Sequence, residues 1–328
     1  MNIAILYSVP TKRAKGSSYL VADEDTVTSS KKVADALQEK GATTTLVPLS
    51  EDTIEDAIGS IKADFIMNLI DWTGIDLPLS LAAMDALERT GIPFAGATKE
   101  NFTLVDKVTM KKALDAAGLP TPRWQVFQTG NEIISDDLTY PVLVKLAKEH
   151  CSIGIEKSSY VLDKGSLRSV VRDRIARFGM DVYAEEFVTG REFQITVLEK
   201  EQGPVMLPPA EIMYKPSDSP EFLTFTERWD ELNPIYQRSD TALAKLSQKE
   251  LKQFGEVCLR AFQSLGFRDF TRVDARLKNN TELLILEINP NPGLDDDELY
   301  SMTISARSAG LTFADFLWAI VTSALRRA

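Results

Sequence analysis

The chain has 328 residues, 44% hydrophobic and 26% charged, with a net charge of −11. That length is generous for a single core, so two or three domains are expected. The acidic balance argues against nucleic acid or an anionic membrane as a partner, since both select basic surfaces.

The N-terminal "MNIAILYS" reads as a strand, without the basic start and apolar core of a leader peptide. No apolar run approaches the ~18 residues of a membrane span. Two cysteines, Cys151 and Cys258, cannot build a disulfide framework. Together these features predict a cytoplasmic protein. Strand-like and helix-like segments then alternate: "TSSKKVADALQEKG" is helical, "ATTTLVPL" a strand, "IEDAIGSI" helical. "ADFIMNLI" is a buried strand, "LPLSLAAMDALERTG" a helix and "IPFAG" a short strand. Such alternation predicts a parallel α/β domain over residues 1–100. The sequence contains no G-x-G, which removes the Rossmann fingerprint, and "GIPFAGATK" fails as a P-loop because Lys99 does not directly follow Gly96.

From Asn101 the pattern changes. "VDKVTMKKALDAAG" is a helix stopped by Gly118 and Pro120. Strand candidates follow at "RWQVFQ", "YPVLVKLA", "GIEKSSYVL", "DVYAEEFV", "REFQITVLEK" and "PVMLPPAEIMY", with one helix, "GSLRSVVRDRIARFG", among them. A long helix from Ser247, the strands "FRDFTRVDARL" and "ELLILEI", and a helical tail complete the chain. The larger part is therefore predicted to be α+β, divided into residues 101–190 and 191–328.

Within "FTRVDARLKNNTELLILEIN", two strands joined by a polar turn at Lys278 to Thr281 predict a hairpin. Residues two apart share a face, so Arg272 with Asp274, and Glu287 with Asn289, can converge on one side. Their oxygens suit a hard cation such as Mg²⁺ or Mn²⁺ shared with substrate phosphates. A strand end with one polar face in water, or a plain Arg272–carboxylate pair, explains the same residues. Lys145 lies in the apolar strand "PVLVKLA", where an ammonium needs a nearby anion. The loop "EHCSIGI" offers small residues, Ser152 and Gly154, whose N–H groups can approach phosphate oxygens or simply form a turn. In "YAEEFVTGREF", the carboxylates Glu185, Glu186 and Glu192 flank apolar Phe187 and Val188, either to bind a nucleoside or as a solvated acidic turn. With one histidine, His150, neither a Ser-His-Asp hydrolase nor a multi-histidine zinc site is expected.

In the order Lys107, Lys145, "EHCSIGI", "EEFVTGRE", "TRVD" and "LEINPNPG", the chain resembles the ATP-grasp superfamily, and within it the D-alanine–D-alanine ligases. The likeness covers essentially the whole chain, and "RVD" with "EINPNPG" is its most specific part. It implies an ATP-grasp fold of two α+β subdomains behind the N-terminal α/β domain, with ATP between them. By similarity Lys107 and Lys145 contact the phosphates, and the loop with Ser152 closes over them. Glu185 and the backbone from Glu186 to Val188 hold adenine, with Glu192 on the ribose. Asp274, Glu287 and Asn289 carry Mg²⁺ (or Mn²⁺), and Arg272 steadies the tetrahedral intermediate. Arg228, before Trp229, stands where the family has a lysine before an aromatic residue, with Lys215 as a second choice.

The implied activity is ATP-dependent carboxylate–amine ligation of amino-acid-like substrates through an acyl phosphate, yielding ADP and phosphate. A phosphotransferase without an amine acceptor, or an inactive nucleotide-binding protein, are the alternatives. Family members commonly dimerise, so a homodimer is an open expectation. Three departures bear on substrate choice. Cys151 replaces a loop serine, with a packing or weak hydrogen-bonding role expected. Asp295, Asp296 and Asp297 follow "NPG" where the family has small hydroxyl residues, either to meet a cationic substrate or as a solvated cap. Glu24 in "ADEDTVTSS" matches the acid that would take the first amino group only loosely. Neither substrate's identity nor its stereochemistry is fixed by these residues.

Overall fold

The computed structural model describes residues 1–217, 220–230, 232–233, 235–236 and 238–327, with all of their side chains except those of residues 22 and 23. Strands β1 (Asn2–Ser8), β2 (Thr43–Leu49), β3 (Phe65–Leu69) and β4 (Phe94–Ala95) form a parallel sheet in the order β2-β1-β3-β4. β1 and β3 are buried nearly throughout, which is why they read as unbroken apolar runs. The first long helix spans Leu20–Glu39 and so begins well before the stretch read as helical. No glycine or proline interrupts the sequence between those ends.

A second, antiparallel sheet holds β5 (Trp124–Phe127), β6 (Val142–Leu146), β7 (Tyr160–Val161) and β8 (Val182–Glu186), in the order β5-β8-β6-β7. The third contains β9 (Gly190–Lys200), β10 (Gly203–Met206), β11 (Ala210–Tyr214), β12 (Ser239–Leu243), β13 (Phe270–Lys278) and β14 (Glu282–Asn289). Its order is β12-β11-β9-β13-β14, with β10 paired to β9. Two strand readings shrink. In "GIEKSSYVL" only Tyr160–Val161 pairs, because Glu156 and Ser159 form a capping box around a 3₁₀ turn. "PVMLPPAEIMY" splits into β10 and β11 around Pro208 and Pro209, which cannot donate to a ladder. Edge strand β12 and the short helix Phe225–Trp229 carry too little apolar periodicity to be read in advance.

The C-terminal helix Phe313–Arg327 returns to the first sheet. Its Phe316, Leu317, Ile320 and Val321 are buried with Ile3, Ile5, Phe65 and Met67 in one core. Among the described residues no single helix is long and apolar enough to cross a membrane. The helices Ser301–Ser308 and Phe313–Arg327 would pass that test only as a pair bent by 91°.

Candidate active site

The hairpin forms as the sequence suggests. β13 and β14 are joined through Asn279 and Asn280, both at positive φ, a geometry asparagine tolerates in tight turns. The ladder sets Arg272 opposite Asn289 and Asp274 opposite Glu287, with a register shift between Asp274 and Ala275. That bulge re-aims β14, so that the sequence neighbours Leu286 and Glu287 both line the same cleft. Arg272 grips Asp274 through two hydrogen bonds, donated by Nε (2.7 Å) and Nη2 (2.9 Å). Asn289 Nδ2 donates to Asp274 Oδ2 at 3.3 Å. These bonds join Arg272, Asp274 and Asn289, Glu287 stands across the ladder from Asp274, and of the four Asp274 and Glu287 line the cleft.

Two lysines enter from other elements. Lys107, at the start of the helix Lys107–Ala116, pairs with Glu287 at 2.7 Å. Lys145 on β6 pairs with Glu185 on β8 at 2.5 Å, and Lys111 reaches the other oxygen of Glu185 at 2.7 Å. Burial drives the Glu287 carboxyl up, but Lys107 and Lys145 outweigh it and hold it at about 2. For Asp274, burial and the Glu287 charge prevail over Arg272, and its carboxyl is raised. Burial likewise pushes Glu185 up, and Lys111 with Lys145 brings it below the usual carboxylate range. Glu185 is thus a buried counter-ion for two lysines that also lines the cleft.

The loop after β6 carries Cys151 and Ser152 at φ of 50° and 63°, an unusual conformation for residues with side chains, and Gly154 at φ 75°. A Cβ on Gly154 would lie 2.5 Å from Leu146, so the tight turn requires glycine there. The helix Phe225–Trp229 docks on this loop. Trp229 Nε1 donates to the Cys151 carbonyl (3.0 Å) and the Phe225 N–H to the Ile155 carbonyl (3.1 Å). Arg228, over the Trp229 ring at 5.6 Å, lines the cleft together with Lys107, Lys145 and Ser152. Lys215 is not part of that lining and lies 3.9 Å from Asp240. The Cys151 sulfur is 3.6 Å from His150 Nδ1. Burial pushes this thiol up, while His150 and Arg228 bring the net direction down, and the long contact to His150 fits the weak hydrogen-bonding role expected.

The cleft also has apolar walls, with Ile212, Phe222, Phe187 and Leu286 in its lining. Val188 is buried and its carbonyl accepts from Arg276 Nη1 at 2.8 Å. Glu192 accepts from Arg276 Nε (2.9 Å) and from the Tyr214 hydroxyl (2.9 Å). Glu186 accepts from Lys278 at 2.6 Å. The N–H groups of Glu186 and Phe187 are engaged by the carbonyls of Arg123 and Pro141.

Some expectations change. Glu24 is exposed on its helix and outside the cleft lining. Asp25, one position on, is likewise exposed and outside the cleft lining, and the nearby Asp295 and Asp71 help to raise its carboxyl. The acidic run is largely satisfied. Asp295 is buried and held by Lys32 at 2.7 and 2.9 Å, and Asp296 pairs with Arg307 at 3.0 Å. Lys111, Arg276 and Tyr214 were absent from the sequence-derived set. Arg276 was legible, since it continues the alternation Arg272, Asp274, Arg276 on one face of β13.

A family model described as the D-ala D-ala ligase C-terminus matches residues 113–322, close to two thirds of the chain. The chain belongs to the D-alanine–D-alanine ligase family. Among curated relatives in that family is the D-alanine–D-alanine ligase of Desulforudis audaxviator, 32% identical over 254 residues, which cover 75% of this chain and 77% of the relative. The uncharacterized protein y4sG of Sinorhizobium fredii is 29% identical over 242 residues, covering 74% and 69%. The crystal structure of D-alanine–D-alanine ligase from Bacillus anthracis complexed with ATP superposes with a TM-score of 0.73 at 20% identity, over 100% of this chain and 98% of that one, a likeness of fold. Membership makes the three-sheet architecture an ATP-grasp fold and the protein an ATP-dependent carbon–nitrogen ligase that joins a carboxylate to an amine. Among the described residues there is no cluster of three or more His, Cys, Asp or Glu side chains placed to hold a metal ion.

Proposed function

We propose that the protein forms an amide or peptide bond between two amino-acid-like substrates, through an acyl phosphate, with release of ADP and phosphate. The observation that supports this most strongly is the convergence on one cleft of Lys107, Lys145, the Ser152 loop, Arg228 and the Asp274–Glu287 face of the hairpin. In this reading the triphosphate lies along the lysines and the loop N–H groups. The base lies against the apolar walls, between Ile212, Phe222 and Leu286, next to the backbone of Val188. The Arg276–Glu192 pair orients Glu192 toward the ribose.

Asp274, Glu287 and Asn289 fit a divalent cation. Asp274 and Glu287 face each other across the ladder, and Asn289 lies two residues on from Glu287 along the same strand, so the three bring oxygen donors to one region. A Mg²⁺ bound by them would neutralise charge on the triphosphate. The carboxylate substrate's oxygen attacks the terminal phosphorus, and the bond to the bridging oxygen breaks to give ADP. Arg228, Lys107 and Lys145 offset charge in the loose phosphoryl-transfer transition state. The amine nitrogen then attacks the acyl carbon, phosphate leaves, and the nitrogen loses a proton. Arg272 and the loop amides stabilise the oxyanion formed in that step.

The test is a screen of amino acids, dipeptides and simple amines for ADP release with Mg²⁺-ATP, followed by mass measurement of the product. An amide formed one-to-one with ADP supports the reading. A stable phosphorylated product that ignores added amines would replace it with phosphotransfer.

A further inference from the structure

Lys111 is the one lysine of the cluster that does not line the cleft. It is fully buried, lies behind Glu185, and is fixed by Glu185 Oε2 at 2.7 Å and Thr121 Oγ1 at 2.6 Å. Thr121 in turn donates to the Ile285 carbonyl at 2.8 Å, which ties this lysine to β14. Burying an ammonium that touches no substrate is costly and calls for a reason.

We propose that Lys111 is a positioning residue for the nucleotide site: by neutralising Glu185 from the buried side, it leaves the charge of Lys145 free to act on the triphosphate. The inference rests on the reading of Lys145 as a phosphate contact. One carboxylate facing one lysine makes a neutral pair, and a strong local pair holds the ammonium back from an incoming anion. One carboxylate between two lysines carries a net positive charge, and only Lys145 of the two can present it to the cleft. The Lys145 ammonium is raised against the effect of burial by Glu185 and Glu287, so it stays charged. Burial lowers Lys111 despite Glu185, as expected for the member of the pair farthest from solvent.

Lys111→Met should raise the KM for ATP about tenfold, the scale of one coupled charge interaction, with a smaller change in kcat. Adding Glu185→Gln to Lys111→Met should recover most of that loss, because the carboxylate that captures Lys145 is gone. A purely structural lysine predicts no such rescue. If the double variant is no better than Lys111→Met, or if Lys111→Met leaves the KM for ATP unchanged, the proposal is overturned. Where Lys111→Met does not fold, the double variant is compared with Glu185→Gln alone. Equal KM values for ATP support action through Glu185, and a further tenfold loss overturns it. Lys145→Met, measured alongside, separates the two levels: an unchanged KM for ATP there removes the phosphate-contact reading itself.

Discussion

Asp274 and Glu287 face each other across the β13–β14 ladder, yet their carboxyls are driven in opposite directions, Asp274 up and Glu287 down to about 2. The asymmetry follows from their cations. Glu287 has Lys107 at 2.7 Å with Lys145 nearby, whereas Asp274 is buried beside the Glu287 charge with Arg272 as its partner. Two like charges in one buried site separate in this way, and a divalent cation relieves both.

Replacing either carboxylate should therefore remove metal-dependent turnover. Asp274→Ala and Glu287→Ala should each lower ADP release by on the order of 10²-fold or more, with the fold retained. A normal rate in either variant would dissociate that residue from the metal.

The pH dependence has a definite sign. Glu287 is depressed from 4.5 to about 2 on folding, so its stabilising contribution is complete above pH 4.5 and fades as pH falls toward 2. Glu287→Gln should melt below the wild type at neutral pH, and the two Tm curves should converge as pH approaches 2. Asp274 shifts the other way, so protons compete with the cation there. Mg²⁺ affinity should climb with pH until Asp274 is ionised, then level off, which titration calorimetry at several pH values would follow.

Arg272→Ala should slow the reaction by on the order of 10²-fold, the usual effect of losing a group that meets developing charge. Arg272→Lys keeps the charge but cannot reproduce the two-point grip on Asp274, so it should recover only part of kcat. Steady-state kinetics of the two variants separate charge from geometry.

Lys32 holds the buried Asp295 at 2.7 and 2.9 Å while remaining partly in solvent. Lys32→Met leaves that carboxylate without its cation. Discounted for the exposed ammonium, the cost is about 1–2 kcal/mol, or a Tm lower by a few degrees. A melting curve identical to the wild type would show that Asp295 relies on its backbone contacts instead.

The sequence carried the site where chemistry repeats locally. Alternation placed Arg272, Asp274, Glu287 and Asn289 on one face, and the polar turn between their strands fixed the pairing. It failed where partners are distant in the chain. Lys111 and Glu185 lie 74 residues apart, and nothing in "VTMKKALDAAG" distinguishes the buried lysine from its exposed neighbour Lys112. The same limit hid Lys32 behind Asp295, which made a neutralised acidic run look like an open negative patch. Glu24 proved exposed and outside the cleft lining, and no apolar periodicity in its helix is strong enough to set the phase in advance.

The most direct test of the ligase chemistry follows the oxygen atoms. With a carboxylate substrate labelled with ¹⁸O in both positions, an acyl phosphate requires one labelled oxygen to appear in inorganic phosphate for each amide made, with ADP as the nucleotide product. Unlabelled phosphate, with both labels kept in the product, or the appearance of AMP, would contradict the account.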